Sequence, residues 1–154
     1  MSRLTEEQLA AWKRLQWANA LIMARFRSDL ADTGLTVEEF DVLIHLARVA
    51  PGALSLQELT ASMVVAGGMS RSGITRLLDR MERDGLLRRT LSPHDRRRFD
   101  VALTPRGRKR FDQIWPGHAE GIARYFVAPL TSRDIRELDR ITDLLIHANE
   151  DEPH

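Results

Sequence analysis

The side chains best suited to chemistry form one hydrogen-bonding group: Ser70, Arg71, Ser72, Thr75 and Arg76, followed downstream by Asp95, Arg96, Arg97 and Arg98. Short hydroxyl side chains reach phosphates and base edges without crowding a groove, and a guanidinium offers a planar fork of donors to guanine or phosphate. Arginine is also favoured in a narrow minor groove, where phosphate potentials converge. A helix carrying the first set fits the major groove, and a hairpin tipped with the second fits the groove beside it. The stretch therefore reads as a surface for double-stranded DNA. Gln57, near the start of an upstream helix, is a candidate phosphate contact. Asp95 stands two residues before Arg97, where its carboxylate is expected to orient that guanidinium. A plainer reading makes Ser72 a helix cap, pairs Arg76 with Asp79 or Arg80 with Asp84 on a solvated face, and leaves the arginine run as a wet hairpin tip.

Charge favours the first reading. The formal net is only +1, yet residues 70–110 hold 13 basic and 5 acidic side chains, a local net of +8, against −2 before and −5 after. A concentrated basic patch with acidic flanks suits a localised polyanion site. Arg88, Arg89 and the Arg106–Arg110 run are expected to touch the nucleic-acid backbone or simply to solubilise the surface.

Other chemistries find little support. The chain has no cysteine, which removes disulfides and thiolate metal sites, and its five histidines show no ligand spacing. Glycine-rich phosphate loop, nucleophile elbow and paired acid/base constellation are all missing, so neither an enzyme nor a cofactor is expected. The N-terminal stretch MSRLTEEQLAAWKR lacks a secretion signal, and no window approaches the roughly 18 apolar residues of a membrane span. A cytoplasmic location follows as an expectation.

The elements that must position these groups are legible from helix starts. Thr5 with Gln8, Thr36 with Glu39, Ser55 with Glu58, and Thr131 with Asp134 have capping-box spacing, and Thr104-Pro105 is a cap followed by proline. Helices are predicted from Thr5 to Ala31, offering Leu9, Leu15, Ile22 and Phe26 to a partner, from Val37 to Val49, and from Leu56. The next carries Ile74, Leu77, Leu78 and Met81 on one stripe. Leu87–Leu91 and a return strand with Phe99, Val101 and Leu103 inward make a hairpin. Two further helices span about 105–128 and 132–148, the first kinked or divided at Pro116-Gly117. The fold class is mainly α, a winged helix-turn-helix of about six helices with a β-hairpin wing. Residues 1–31 and 105–150 are expected to form a dimerisation region, 32–104 the reading domain, and 151–154 a frayed acidic tail. Amphipathic first and last helices outside the reader need a place to bury their stripes, and a second copy supplies it.

These residues resemble the MarR-type bacterial transcription regulators. The resemblance rests on Gly34-Leu35-Thr36, Leu56-Gln57-Glu58-Leu59, Ser72-Gly73-Ile74-Thr75-Arg76-Leu77 with Asp79-Arg80, Gly85-Leu86-Leu87, Asp95-Arg96-Arg97, and Val101-Ala102-Leu103-Thr104 with Gly107. It implies a homodimer presenting two reading heads to a pseudo-palindromic operator, usually a repressor released by a small molecule, with Arg97 as the side chain inserted by the wing. The resemblance also implies an amphipathic or aromatic effector where the dimer arms meet the reading heads. Trp12, Trp17, Phe40, His45 and Trp115 are the bulky groups for that junction, and Trp12 and His45 are the candidate pocket residues. One stretch departs from the family: Met63–Met69 holds about four additional residues before the recognition helix, with two glycines to give the backbone freedom. The competing function is a winged-helix protein-interaction module without a specific DNA site.

Overall fold

Five helix starts are built as their sequences require. Thr5 and Gln8 exchange bonds of 2.9 and 3.1 Å, and Thr36 and Glu39 bonds of 2.9 and 3.2 Å. Ser55 with Glu58 and Thr131 with Asp134 do the same. Thr104 Oγ1 accepts from the Gly107 amide at 3.0 Å. Each reciprocal pair satisfies two amides that a helix would otherwise leave unbonded.

The computed structural model describes residues 3–48, 54–93, 95 and 97–150. Along the chain run α1 (Glu6–Leu30), a 3-10 turn (Ala31–Thr33), α2 (Val37–Arg48), β1 (Leu54–Ser55), α3 (Leu56–Gly67), α4 (Arg71–Arg83), β2 (Leu87–Leu91), β3 (Phe99–Leu103), α5 (Pro105–Ile122), a π-helical turn (Ala123–Val127) and α6 (Ser132–Glu150). His94, Arg96 and the tail 151–154 lie outside the described residues.

Two compact units result: residues 27–116, and residues 1–26 together with 117–154. The first is wider than the predicted 32–104 segment, because Leu30, Phe111 and Ile114 join its core. Its sheet has the order β1-β3-β2, all antiparallel, with Leu54 opposite Val101 and Leu87 opposite Leu103. The two-residue β1 is too short to show a period-two pattern in sequence. The predicted α4 stripe, Ile74, Leu77, Leu78 and Met81, is buried throughout against a core that includes Phe40, Leu43, Leu59 and Met63. Phe99 departs from its predicted inward placement. It ends the ladder opposite Leu91, and both are exposed.

Met63–Gly67 form the last part of α3, Gly68 at φ +60° ends the helix, and only Met69 separates it from the cap Ser70. Glycine suits this left-handed position because it has no Cβ to collide with the following carbonyl.

In the other unit, Phe26 is buried, with its ring 4.6 Å from His118 and 5.8 Å from Tyr125. This corrects its assignment to an external partner. Leu9, Leu15, Ile141 and Leu145 remain exposed on α1 and α6. Pro116 does not divide its helix: α5 is continuous through it, and the helical geometry changes only at Ala123.

Candidate nucleic-acid interface

The N-terminus of α4 is organised by Ser70, whose Oγ accepts from the Gly73 amide at 3.1 Å. Ser70 is therefore the cap, correcting the plainer reading that gave this role to Ser72. The Ser72 hydroxyl instead lies 3.2 Å from that of Ser70, and Thr75 Oγ1 donates to the Arg71 carbonyl at 3.0 Å. Both hydroxyls stay exposed and keep lone pairs for an incoming donor. Arg71 and Arg76 are exposed, and neither guanidinium forms an ion pair among the described residues.

The orientation of α4 is fixed by its other charges. Arg80 donates from Nε to Glu39 Oε1 at 2.8 Å, while Glu39 Oε2 holds the Thr36 amide at 2.9 Å. The Glu39 side chain is only 8% exposed, so this carboxylate ties the start of α2 to the recognition helix in surroundings poor in water. On β2, Arg89 pairs with Asp79 at 2.7 Å and its amide donates to Glu82 at 2.8 Å. Neither the Arg76–Asp79 nor the Arg80–Asp84 pairing is among the ion pairs of the described residues. Arg89 is thus a clasp between wing and helix rather than a nucleic-acid contact. Arg110 turns inward to the Thr33 carbonyl, while Arg108 stays exposed and donates to the Ala47 carbonyl.

At the wing tip, Asp95 Oδ1 accepts from the Arg97 amide at 3.0 Å, its carbonyl accepts from the Arg98 amide at 2.9 Å, and Oδ2 faces Arg98 Nε at 3.4 Å. Asp95 therefore shapes the turn through the backbone and restrains Arg98. It does not orient the Arg97 guanidinium, because Oδ1 is taken by the Arg97 amide in an Asx turn and Oδ2 by the Arg98 side chain. Arg97 is left exposed, with no ion pair among the described residues.

A cleft of about 380 Å³ joins these parts. Gln57, Thr60 and Ala61 of α3 line one side, Arg71 of α4 another, and Arg97, Arg98 and Phe99 of the wing a third. The structure thus brings Gln57, Arg71, Arg97 and Arg98 together, while Ser70, Ser72, Thr75 and Arg76 lie outside the lining. Thr60 and Phe99 escaped the sequence reading, since a threonine inside a helix and a strand phenylalanine carry no distinctive spacing. Glu58, beside the cleft, is held below the usual carboxylate range by the Ser55 hydroxyl, then the Ser55 amide, with a further contribution from the positive charge of Arg98. Two unpaired guanidiniums in a groove suit a phosphodiester chain, which exchanges condensed counterions for them.

Trp12 is 58% exposed in the unit of residues 1–26 and 117–154. His45, in the other unit, is half-buried, with Nδ1 2.9 Å from the Asp41 carbonyl. That bond puts the proton on Nδ1 and leaves Nε2 as an acceptor in the neutral ring. Phe40 and Trp115 both stack on Phe111, at 6.1 and 5.4 Å, and Arg48 lies over Trp115 at 5.7 Å.

A sequence model of the MarR family matches residues 33–98. Over 117 residues the chain is 32% identical to the HTH-type transcriptional repressor MdtR of Bacillus subtilis, covering 76% of this chain and 71% of MdtR. The chain belongs to the MarR family. The HTH-type transcriptional regulator YkoM of the same organism is 34% identical over 98 residues, and the match spans 64% of this chain but only 60% of YkoM. Among solved structures, the MarR-family regulator AbsC of Streptomyces coelicolor superposes with a TM-score of 0.86 at 25% identity, covering 99% of this chain and all of AbsC. Sco3205 from that organism, solved in complex with DNA, shares the fold with a TM-score of 0.84 at 23% identity, over 96% of this chain and 91% of its own. CouR of Rhodococcus jostii RHA1, bound to p-coumaroyl-CoA, gives 0.73 at 26% identity, over 85% of this chain and 87% of CouR. The fold is therefore the mainly α winged helix of a family of transcription regulators, not of enzymes.

Proposed function

We propose that this MarR-family chain is a sequence-specific DNA-binding transcription regulator. It acts as a repressor, binding a pseudo-palindromic operator as a homodimer, and its affinity falls when a small amphipathic or aromatic effector binds. The observation that carries this reading is the cleft holding the unpaired Arg71 and Arg97 beside an exposed helix locked by Glu39 and Arg89. Ser70, Ser72, Thr75 and Arg76 face the major groove, Gln57 touches a phosphate, and the Asp95–Arg98 tip enters the minor groove. The complex of Sco3205 with DNA supports the partner, and CouR with its acyl-CoA ligand supports an effector.

Exposed apolar side chains on the terminal helices support pairing of two copies: Leu15, Trp17 and Leu21 on α1, and Ile141, Leu144 and Leu145 on α6. Segments 1–31 and 105–150 then hold the dimer together while 32–104 reads. Recognition helices must sit about 34–36 Å apart to meet successive major-groove faces. A ligand that prefers another spacing lowers affinity in proportion to that preference. Trp12 and His45 are the candidate effector contacts. No helix among the described residues is long and apolar enough to cross a membrane, which suits a protein working on DNA in the cytoplasm.

Selection from random duplex DNA tests the proposal. A palindromic site should be enriched at moderate salt, and compounds that raise the melting midpoint should release it. Failure to enrich any sequence overturns the reading and favours a protein-interaction module.

A further inference from the structure

We propose that Val65, on the last turn of α3, reads the 5-methyl group of a thymine in the bound duplex. The inference rests on the DNA-binding reading and assigns that site a contact beyond the polar groups already described. Val65 is 83% exposed, the highest value among the large hydrophobic side chains described. The exposure does not come from a loose segment, since Val64 and Met69 on either side pack against the core, and Gly68 ends the helix in the left-handed conformation. The turn is held, and one apolar side chain is directed away from the protein.

Its position along α3 indicates the occupant. Gln57 and Ala61 line the arginine cleft, and Val65 is the next member of the same i, i+4 series. Each such step advances about 6 Å along a helix and turns about 40° around it, so Val65 lies one step beyond the cleft residues, toward the end of α3 that leads into α4. Only Gly68, Met69 and the cap Ser70 separate the two helices, and Val65 therefore enters the interface wherever the α4 N-terminus does. The cleft lined by Gln57 and Ala61, one helical step before Val65, carries Arg71 and Arg97, which suits a polyanion better than an apolar protein partner. Duplex DNA presents one apolar group in the major groove, the thymine methyl, and an aliphatic side chain is its usual complement.

The test uses the full-length protein and the duplex enriched by selection, with deoxyuridine replacing thymidine one position at a time. One thymine in each half-site should be sensitive, its demethylation weakening binding about fourfold, the worth of one buried methyl group. In Val65→Ser that sensitivity should vanish while thermal stability stays unchanged, because the side chain is exposed. Indifference of every thymine to demethylation, or sensitivity that persists in Val65→Ser, overturns the inference alone. Failure to enrich any duplex overturns the regulator reading and this inference with it.

Discussion

Replacing Gly107 by alanine should be the most damaging single-methyl change in the reading unit. A Cβ at this position would stand 2.8 Å from the carbonyl carbon of Leu86, and closer still to its oxygen. Carbon atoms in contact normally sit about 3.5–4.0 Å apart, so α5 must move away from Leu86 by roughly 1 Å. The neighbour is backbone and cannot rotate aside. Two donors bond across that seam: the Thr104 amide to Leu86 O at 3.1 Å, and the Thr104 hydroxyl, whose one proton is shared between Gly85 O at 2.6 Å and Leu86 O at 3.2 Å. Losing both costs about 2 kcal/mol, and the residual strain about 1 kcal/mol more. Urea unfolding of Gly107→Ala, at fixed protein concentration, should therefore show a loss of about 3 kcal/mol in stability with an unchanged m-value. A loss below about 1 kcal/mol would show that the seam yields freely and would refute the steric reasoning.

Two further outcomes follow from the charges around the cleft. Arg89→Met should cost about 1 kcal/mol or less in stability, because the partners Asp79 and Glu82 are partly exposed, yet weaken DNA binding several-fold by releasing the wing from α4. Parallel melting and titration experiments check this, and equal affinity in the variant would contradict the clasp. The lowered pKa of Glu58 implies a stabilising contribution that is present above the usual carboxylate range and is lost as pH falls through the lowered folded value. The Ser55 amide resonance should accordingly shift only below the range in which an ordinary glutamate titrates, and Glu58→Gln should abolish that transition.

What was legible in the sequence was local. A capping box needs only its own four residues, so Thr36 with Glu39 and Ser55 with Glu58 could be read directly, as could the α4 stripe from Ile74 to Met81. The second partner of Glu39 could not, because Arg80 is 41 residues away and only the packing of α2 on α4 brings them together. Arg89 was misread for the same reason: a basic residue on a strand looks like any other surface cation until Asp79 appears opposite it. Asp95 was legible as a wing residue but not in its role, since the choice between a neighbouring guanidinium and the backbone amide depends on turn geometry. The two glycines before α4 were legible as a point of backbone freedom but not in their separate roles: Gly67 ends α3, and Gly68 serves as the left-handed stop. The packing of Met63 and Val64 against the core decided the outcome over the weak helix propensity of two valines.

The most direct test of the account is the salt dependence of binding to the enriched duplex, for the wild type and for Arg71→Ala/Arg97→Ala. A dimer meeting roughly 6–10 phosphates should give a slope of log K against log salt of about −5 to −9. Removing two unpaired guanidiniums from each copy should weaken binding and flatten that slope by about 2–4. Identical affinity and slope in the double variant would show that the cleft between α3, α4 and the wing does not hold the phosphate backbone.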